Sequence, residues 1–280
     1  MESVNKHIPK LIFIVPYRNR GPHLVHFKVY MKYILSDIPE NDYEIYFIHQ
    51  KDNRPFNRGA IKNIGFLVMK EKYPNHYKNI TFIFNDIDNV PYEKNLLNYK
   101  TTTGVVKHFF GFNWTLGGIV SFTGADFEKV NGFPNYWAWG REDNDIHERV
   151  KNYNIKIDRS QFYDFKDIRI INIKNGNTRT LSKEQVFRSG HNNNEGLVDI
   201  KNLKYNFEND LVNVTHFTTR VNPLNDHYYD FDPTVQRKPI ADLKYRPNDS
   251  VNTNQELIKW GLVPGVRDMS RSRGIGMKLF

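Results

Sequence analysis

The chain is predicted to be an α/β protein with a mostly parallel sheet, and three observations carry that prediction. Lys10–Val15, Tyr43–His49 and Asn79–Asn85 are short runs rich in branched and aromatic residues. Each is apolar almost throughout rather than alternating, as expected of strands covered on both faces. The stretches between them, His23–Leu35 and Arg58–Met69, carry apolar residues at helical spacing, so strand and helix alternate as in crossover-connected parallel strands.

In order along the chain, Lys10–Val15 is a buried strand ended by Pro16, and His23–Leu35 is a helix with Leu24, Phe27, Val29, Met31 and Ile34 on its apolar positions. Tyr43–His49 is the second strand, Arg58–Met69 the second helix, and Asn79–Asn85 the third strand, which runs straight into Asp86-Ile-Asp88. Gly117 to Thr123 reads as a further strand. Asn131-Gly132 and Phe133-Pro134 are turn chemistry. After Gly140, Ile146 and Val150 lie four apart behind Glu142, Asp143 and Asp145, which marks a helix start with acids in its first turn. Residues 164–195 are polar apart from a short candidate strand at Ile168–Ile173, and a loop of that length is expected to serve function, typically as a lid. The catalytic domain is expected to span 1–232, with a basic extension at 233–280 packed on the same domain.

The 280 residues suffice for one large core. Hydrophobic residues at 39% and charged residues at 25% are ordinary for a globular chain, whereas 14% aromatic suits a ring-lined cleft. Zero cysteine removes disulfides, cysteine metal sites and thiol catalysis from consideration. No run of spanning length and no signal-peptide core is present, so no transmembrane segment and a cytoplasmic location are expected. The net charge of +9 calls for a polyanionic partner. Nucleic acid, a membrane surface or a diphosphate substrate would each answer it, and lysine and arginine interspersed with acids rather than gathered into runs argue against nucleic acid.

Three groups of residues point to chemistry. The strand ends, where ligands collect in such sheets, carry Arg18, Arg20 and Arg58, whose guanidinium forks match phosphate oxygens. Asp86-Ile-Asp88 closes the third strand and is expected to send one acid to a hard cation and the other to a different part of a ligand. Trp137-Ala-Trp139-Gly-Arg-Glu142-Asp143-Asn144-Asp145 places two indoles beside carboxylates, a surface on which a sugar stacks its CH face and satisfies its hydroxyls.

Taken in order, Val15-Pro-Tyr-Arg-Asn-Arg20, Phe56-Asn-Arg58 with Asn63-Ile-Gly65-Phe, Phe84-Asn-Asp-Ile-Asp88-Asn-Val-Pro91, Gly117-Gly118, and Asn131-Gly-Phe-Pro with Trp137 to Asp145 resemble the β-1,4-galactosyltransferase family over residues 10–155. The Arg141 before the acids is closer in look to the branch that acts on xylose of proteoglycan linkers. The resemblance implies a GT-A fold in a single catalytic domain, a UDP-sugar donor, manganese, a glycan or glycoside acceptor, and inversion at the anomeric carbon. It implies that Pro16, Tyr17, Arg18, Arg20, Phe56, Arg58 and Asp86 hold the donor nucleotide. Asp88 would bind the metal, Trp139 would stack near the sugars, Glu142 would hold the transferred sugar and Asp143 would be the general base.

The chain departs from the family pattern at three places. Where a histidine metal ligand is expected downstream of the base, the sequence reads Arg169-Ile-Ile-Asn-Ile-Lys174, which leaves His191 as the candidate and His216 as a poorer one. Asn144 replaces an acceptor-binding aspartate and brings donors as well as an acceptor. Thr115, two residues before Gly117-Gly118, stands where galactose-transferring members carry tyrosine, so the sugar-binding wall of Thr115 and Gly118 would admit N-acetylgalactosamine as well as galactose, with N-acetylglucosamine and glucose also open. The competing expectation is a catalytically decayed sugar-binding scaffold of the same fold.

Overall fold

The computed structural model describes residues 7–173, 176, 178–182, 184, 185, 188 and 194–232. The anticipated extension at 233–280 and the metal-ligand expectation at His191 therefore lie outside the described residues.

β1 (Leu11–Tyr17) is buried along nearly its whole length and leads into α1 (Gly21–Ile34). β2 (Tyr43–Gln50), α2 (Arg58–Lys72) and β3 (Thr81–Asn85) follow, as the periodicity predicts. β1 pairs in parallel with β2 on one side and β3 on the other. Pro16 does not end the strand: pairing with β3 stops at Ile14–Phe84, so the imide nitrogen falls where one side of the ladder has already finished.

β4 (Asn89–Pro91), β5 (Val105–Gly111) and β6 (Ile119–Thr123) come next. The strand expected from Gly117 thus starts two residues later, and it runs antiparallel to β3. α3 (Gly124–Lys129) and α4 (Glu142–Asn152) are separated by the loop that carries the tryptophans. Beyond α4 lie β7 (Lys156–Asp158), β8 (Tyr163–Asp164), β9 (Ile170–Asn172) and β10 (Arg179–Ser182). The candidate strand at Ile168–Ile173 is found as β9, which pairs antiparallel to β4, and the polar segment around it also holds β10, which the sequence did not suggest. β11 (Lys201–Glu208) and β12 (Leu211–Thr218) form a hairpin, and β13 (Tyr228–Phe231) pairs with β10.

The main sheet has the order β11-β12-β2-β1-β3-β6-β5-β7, with β8 also on β5. It is mixed: parallel at β12-β2-β1-β3 and antiparallel at β3-β6-β5. Two apolar clusters cover its faces. One holds α2 against Ile12, Ile14 and Ile48 together with Trp137, Phe133 and Ile146; the other holds α1 against Phe13, Val15 and Phe47. The carboxyl ends of β1, β2 and β3 and the amino end of α4 consequently open on the same edge.

Candidate active site

α2 builds the centre of the site. Its N-cap, Asn57, accepts a hydrogen bond from the Ala60 amide at 2.8 Å and donates to the Asn135 carbonyl at 3.1 Å. That ties the first turn of the helix to the tryptophan loop. Arg58, the first helical residue, sends its Nε to Glu142 at 2.6 Å, one terminal nitrogen to Asp86 at 2.9 Å and the other to Asp143 at 2.6 Å. One guanidinium thus gathers carboxylates from the end of β3 and the start of α4.

One turn further along α2, the fully buried Lys62 brings its ammonium 3.2 Å from Asp86 and 3.4 Å from Asp143, with the Phe133 ring centroid 4.7 Å away. A buried ammonium requires such partners, because desolvating it alone is prohibitive. Lys62 was not anticipated from the sequence. The available signal was its place four residues after Arg58 on the predicted helix, hence on the same face.

The electrostatics follow from this crowding. Burial works against the charge of Arg58, but Asp143, Asp86 and Glu142 more than offset it and hold the guanidinium protonated. Burial would raise Asp86, yet Arg58 and Lys62 pull it below the ordinary carboxylate range. Glu142 moves the other way: burial and the neighbouring Asp143 push it up against the pull of Arg58.

Asp86 and Asp88 do not sit on a regular strand. Residues 86–89 form a turn in which the Asn89 backbone N–H donates to the Asp86 carbonyl at 3.0 Å, and the Asn85 side-chain Nδ2 braces it by donating to the Asp86 carbonyl at 2.9 Å and the Asn89 carbonyl at 2.8 Å. This turn sends the two acids to different protein partners. Asp86 faces Arg58 and Lys62, whereas Asp88 accepts from Arg20 at 2.9 Å. Burial and the charge of Asp86 push Asp88 up, with Arg20 opposing. A carboxylate under that pressure is favoured in its charged form by a cation, and its oxygens suit a hard divalent ion such as manganese; Asp88 fits that role. Among the described residues no group of three His, Asp or Glu side chains converges to complete a metal site.

Arg179 on β10 approaches the same region closely enough for Arg20 and Arg58 to add to the effect of burial in lowering its pKa. It came from the polar segment, where no sequence pattern marked it. Arg18 donates to the Arg54 carbonyl, and the Tyr17 ring lies 5.0 Å from that of His49. Pro16 is buried at the end of β1, and Phe56 is half-buried against the α2 cluster. These residues share the strand-end edge with Arg58; none of them contacts the carboxylates directly in the interactions described above.

The Gly117-Gly118 pair forms the floor. A Cβ built at Gly117 would lie 2.7 Å from Asp143 Cγ and closer still to Oδ2, so only glycine lets the carboxylate rest there. Gly118 has φ +71° and is pressed against the Phe110 backbone. The Leu116 amide donates to the Asp143 carbonyl at 2.8 Å, which seats α4 on this segment, and the buried Thr115 hydroxyl donates to the Phe112 carbonyl at 3.2 Å.

The expected platform of two indoles is not formed. Ala138 has φ +64°, and this turn parts the two tryptophans. Trp137 is fully buried, stacked on Phe217 at 5.3 Å and 9°, with its indole N–H shared by Thr219 and the Val221 carbonyl. Trp139 is half-buried, its amide donating to the Thr180 carbonyl at 2.9 Å, and it alone remains as a candidate sugar platform. Asn144 is half-buried beside Asp143, whereas Asp145 is fully buried and accepts from Tyr136, a structural role.

Residues 5–101 match the model of the N-terminal region of glycosyl transferase group 7, and residues 106–173 match that of the N-terminal domain of galactosyltransferase. The chain belongs to the β-1,4-galactosyltransferase family. Human β-1,4-galactosyltransferase 4 is 34% identical over 167 residues, which cover 55% of this chain and 46% of that protein. Bovine β-1,4-galactosyltransferase 1 is 33% identical over 168 residues, covering 57% and 40%. The chain spans about half the length of the curated relatives it matches. Among solved structures, the catalytic domain of Drosophila β-1,4-galactosyltransferase 7 in complex with xylobiose aligns with TM-score 0.55 and 20% identity, over 74% of this chain and 94% of that one. A mutant of the same fly protein, in complex with manganese, UDP-Gal and xylobiose, aligns with TM-score 0.55 and 19% identity over the same shares. The fold is thus that of the family's GT-A domains. Among the described residues, no helix is long and apolar enough to cross a membrane.

Proposed function

We propose that this β-1,4-galactosyltransferase family member is an inverting glycosyltransferase. It moves a hexose or N-acetylhexosamine, galactose or N-acetylgalactosamine, from a UDP-sugar to a hydroxyl of a sugar acceptor. The observation that carries this reading is the placement of Asp143. Its carboxylate rests on Gly117, is held by Arg58 at 2.6 Å, and lies at the amino end of α4 next to Glu142. Asp143 acts as the base that takes the acceptor hydroxyl proton as that oxygen attacks the anomeric carbon. Glu142 holds hydroxyls of the transferred sugar, and Asp86 faces the nucleotide.

Arg20 and Arg179, with the backbone at Pro16–Arg18 and Phe56, line the diphosphate side, where guanidiniums stabilise charge on the leaving group. Manganese is proposed to be held by Asp88 and to supply Lewis-acid neutralisation of that diphosphate when bound. The fly relative in complex with manganese, UDP-Gal and xylobiose supports this assignment of donor and metal. Trp139 offers the stacking surface, and Asn144 contributes to acceptor choice.

The test is a donor screen that reads released UDP in the presence of sugar acceptors, with Asp143→Asn as control. Transfer that persists at the wild-type rate in Asp143→Asn refutes the base assignment. Absence of UDP release from every UDP-sugar refutes the enzyme reading, and sugar binding without nucleotide binding in calorimetry then favours the scaffold. Thr115→Tyr in the same screen is expected to shift preference away from N-acetylated donors; unchanged preference removes Thr115 from the donor wall.

A further inference from the structure

Lys62 has no part in the chemistry described so far, yet among the described residues it is the one lysine whose side chain is fully enclosed in the site. Its side chain has 0% exposure, and its ammonium stands 3.2 Å from Asp86 and 3.4 Å from Asp143. These two carboxylates come from the turn after β3 and the first turn of α4, elements joined otherwise through Arg58 and through the 116–118 segment, whose Leu116 amide donates to the Asp143 carbonyl and whose Gly118 carbonyl accepts from the Asp86 amide. The two oxygens of Asp143 divide between the cations: Oδ2 receives Arg58 and Oδ1 faces Lys62. With one cation a carboxylate can still rotate about its Cβ–Cγ bond; with two on different oxygens that rotation is stopped. The ring of Phe133 lies 4.7 Å from the ammonium, within cation–π range.

We propose that Lys62 is a positioning residue for the transfer reaction: its buried ammonium fixes the rotation of the Asp143 carboxylate and locks the Asp86 turn to the start of α4. This rests on the reading of Asp143 as the base. It assigns Lys62 no contact with substrate and no proton transfer. The consequence is a residue on which turnover depends far more than substrate affinity, because the donor-side arginines remain in place without it.

Lys62→Met keeps the length of the side chain and its packing on Phe133 while removing the charge. Steady-state kinetics should show kcat lowered by about 30-fold, within the range that about 1 Å of misplacement of a reacting group produces, while KM for the UDP-sugar changes less than about threefold. A purely structural role would lower the active fraction without this split when rates are normalised to folded protein. A thermal double-mutant cycle of Lys62→Met and Asp143→Asn supplies a readout that needs no activity. The loss of melting temperature caused by Lys62→Met should be about 3 °C smaller in the Asp143→Asn background, because the partners are coupled. Additive losses in the cycle, or a kcat within threefold of wild type, overturn the proposal. Absence of transfer by the wild-type protein instead refutes the functional reading, and the cycle still decides whether Lys62 holds Asp143.

Discussion

Replacing Gly117 by alanine probes the catalytic floor with one methyl group. Its backbone lies outside the left-handed region, so the substitution introduces no conformational strain, and its effect comes from the space above it. The added carbon would stand 2.7 Å from Asp143 Cγ and 3.2 Å from Asp143 Cβ. Packed carbons settle at about 3.5–4.0 Å, so the carboxylate must retreat by about 1 Å. It can do so only by lengthening its 2.6 Å bond to Arg58 or its 3.4 Å approach to Lys62. A misplacement of that size lowers turnover by about 100-fold, with fold and donor binding retained. The assay is UDP release at saturating donor and acceptor, with the melting temperature measured in parallel. A Gly117→Ala enzyme with kcat within about threefold of wild type, and an intact melting transition, would falsify the placement of Asp143 on this floor.

Three further substitutions test the geometry. Trp137→Ala empties a fully buried position stacked on Phe217, with the Arg54 guanidinium 4.6 Å from the indole and 4.5 Å from the Phe217 ring. It should cost about 3–5 kcal/mol in denaturant unfolding. Trp139→Ala should cost under about 1 kcal/mol while raising the acceptor KM; the reverse pattern would reassign the two indoles. His108 is buried, with Nε2 donating to the carbonyls of Phe110 and Gly117 and Nδ1 accepting from Arg159, and burial lowers its pKa to about 3. Because that lies below the unfolded value near 6.5, protonation favours the unfolded chain, and stability from this residue is lost as pH falls below 6.5 towards 3. At pH 5 the loss is about 2 kcal/mol, so His108→Gln should flatten the fall in melting temperature between pH 7 and 5. An equally steep fall in the variant removes His108 as its source.

Much of the frame was legible in the sequence because it depends on local pattern. The β1-α1-β2-α2-β3 run alternates apolar blocks with amphipathic ones, and the acids of α4 announced its first turn. Directions were less legible. β6 reads like any buried strand, and its antiparallel course is set by the chain's route through β5, which local pattern does not encode. The Trp137-Ala138-Trp139 segment suggested paired indoles, and a single positive φ at Ala138 separated core from surface. Arg58 was found at a strand end, but its partners Glu142 and Asp143 lie more than eighty residues downstream. Lys62 escaped notice because a lysine within a helix ordinarily reads as solvent-facing; only the opposing carboxylates make it an interior residue.

The pairing of β12 with β2 also has a consequence for how the chain acquires its shape. Leu211–Val214 close the side of β2 at Phe47–Gln50, so this strand waits for more than 160 residues of synthesis before its outer hydrogen-bonding groups are met. Contacts of such sequence separation form late, since the intervening chain must be ordered first. A ribosome-bound or truncated chain ending before Lys201 would expose β2 as an unprotected edge, the kind of surface on which strands of other molecules add. The hairpin of β11 and β12 therefore serves as the seal of the nascent sheet. Aggregation of C-terminally shortened forms is expected to begin at Tyr43–Gln50.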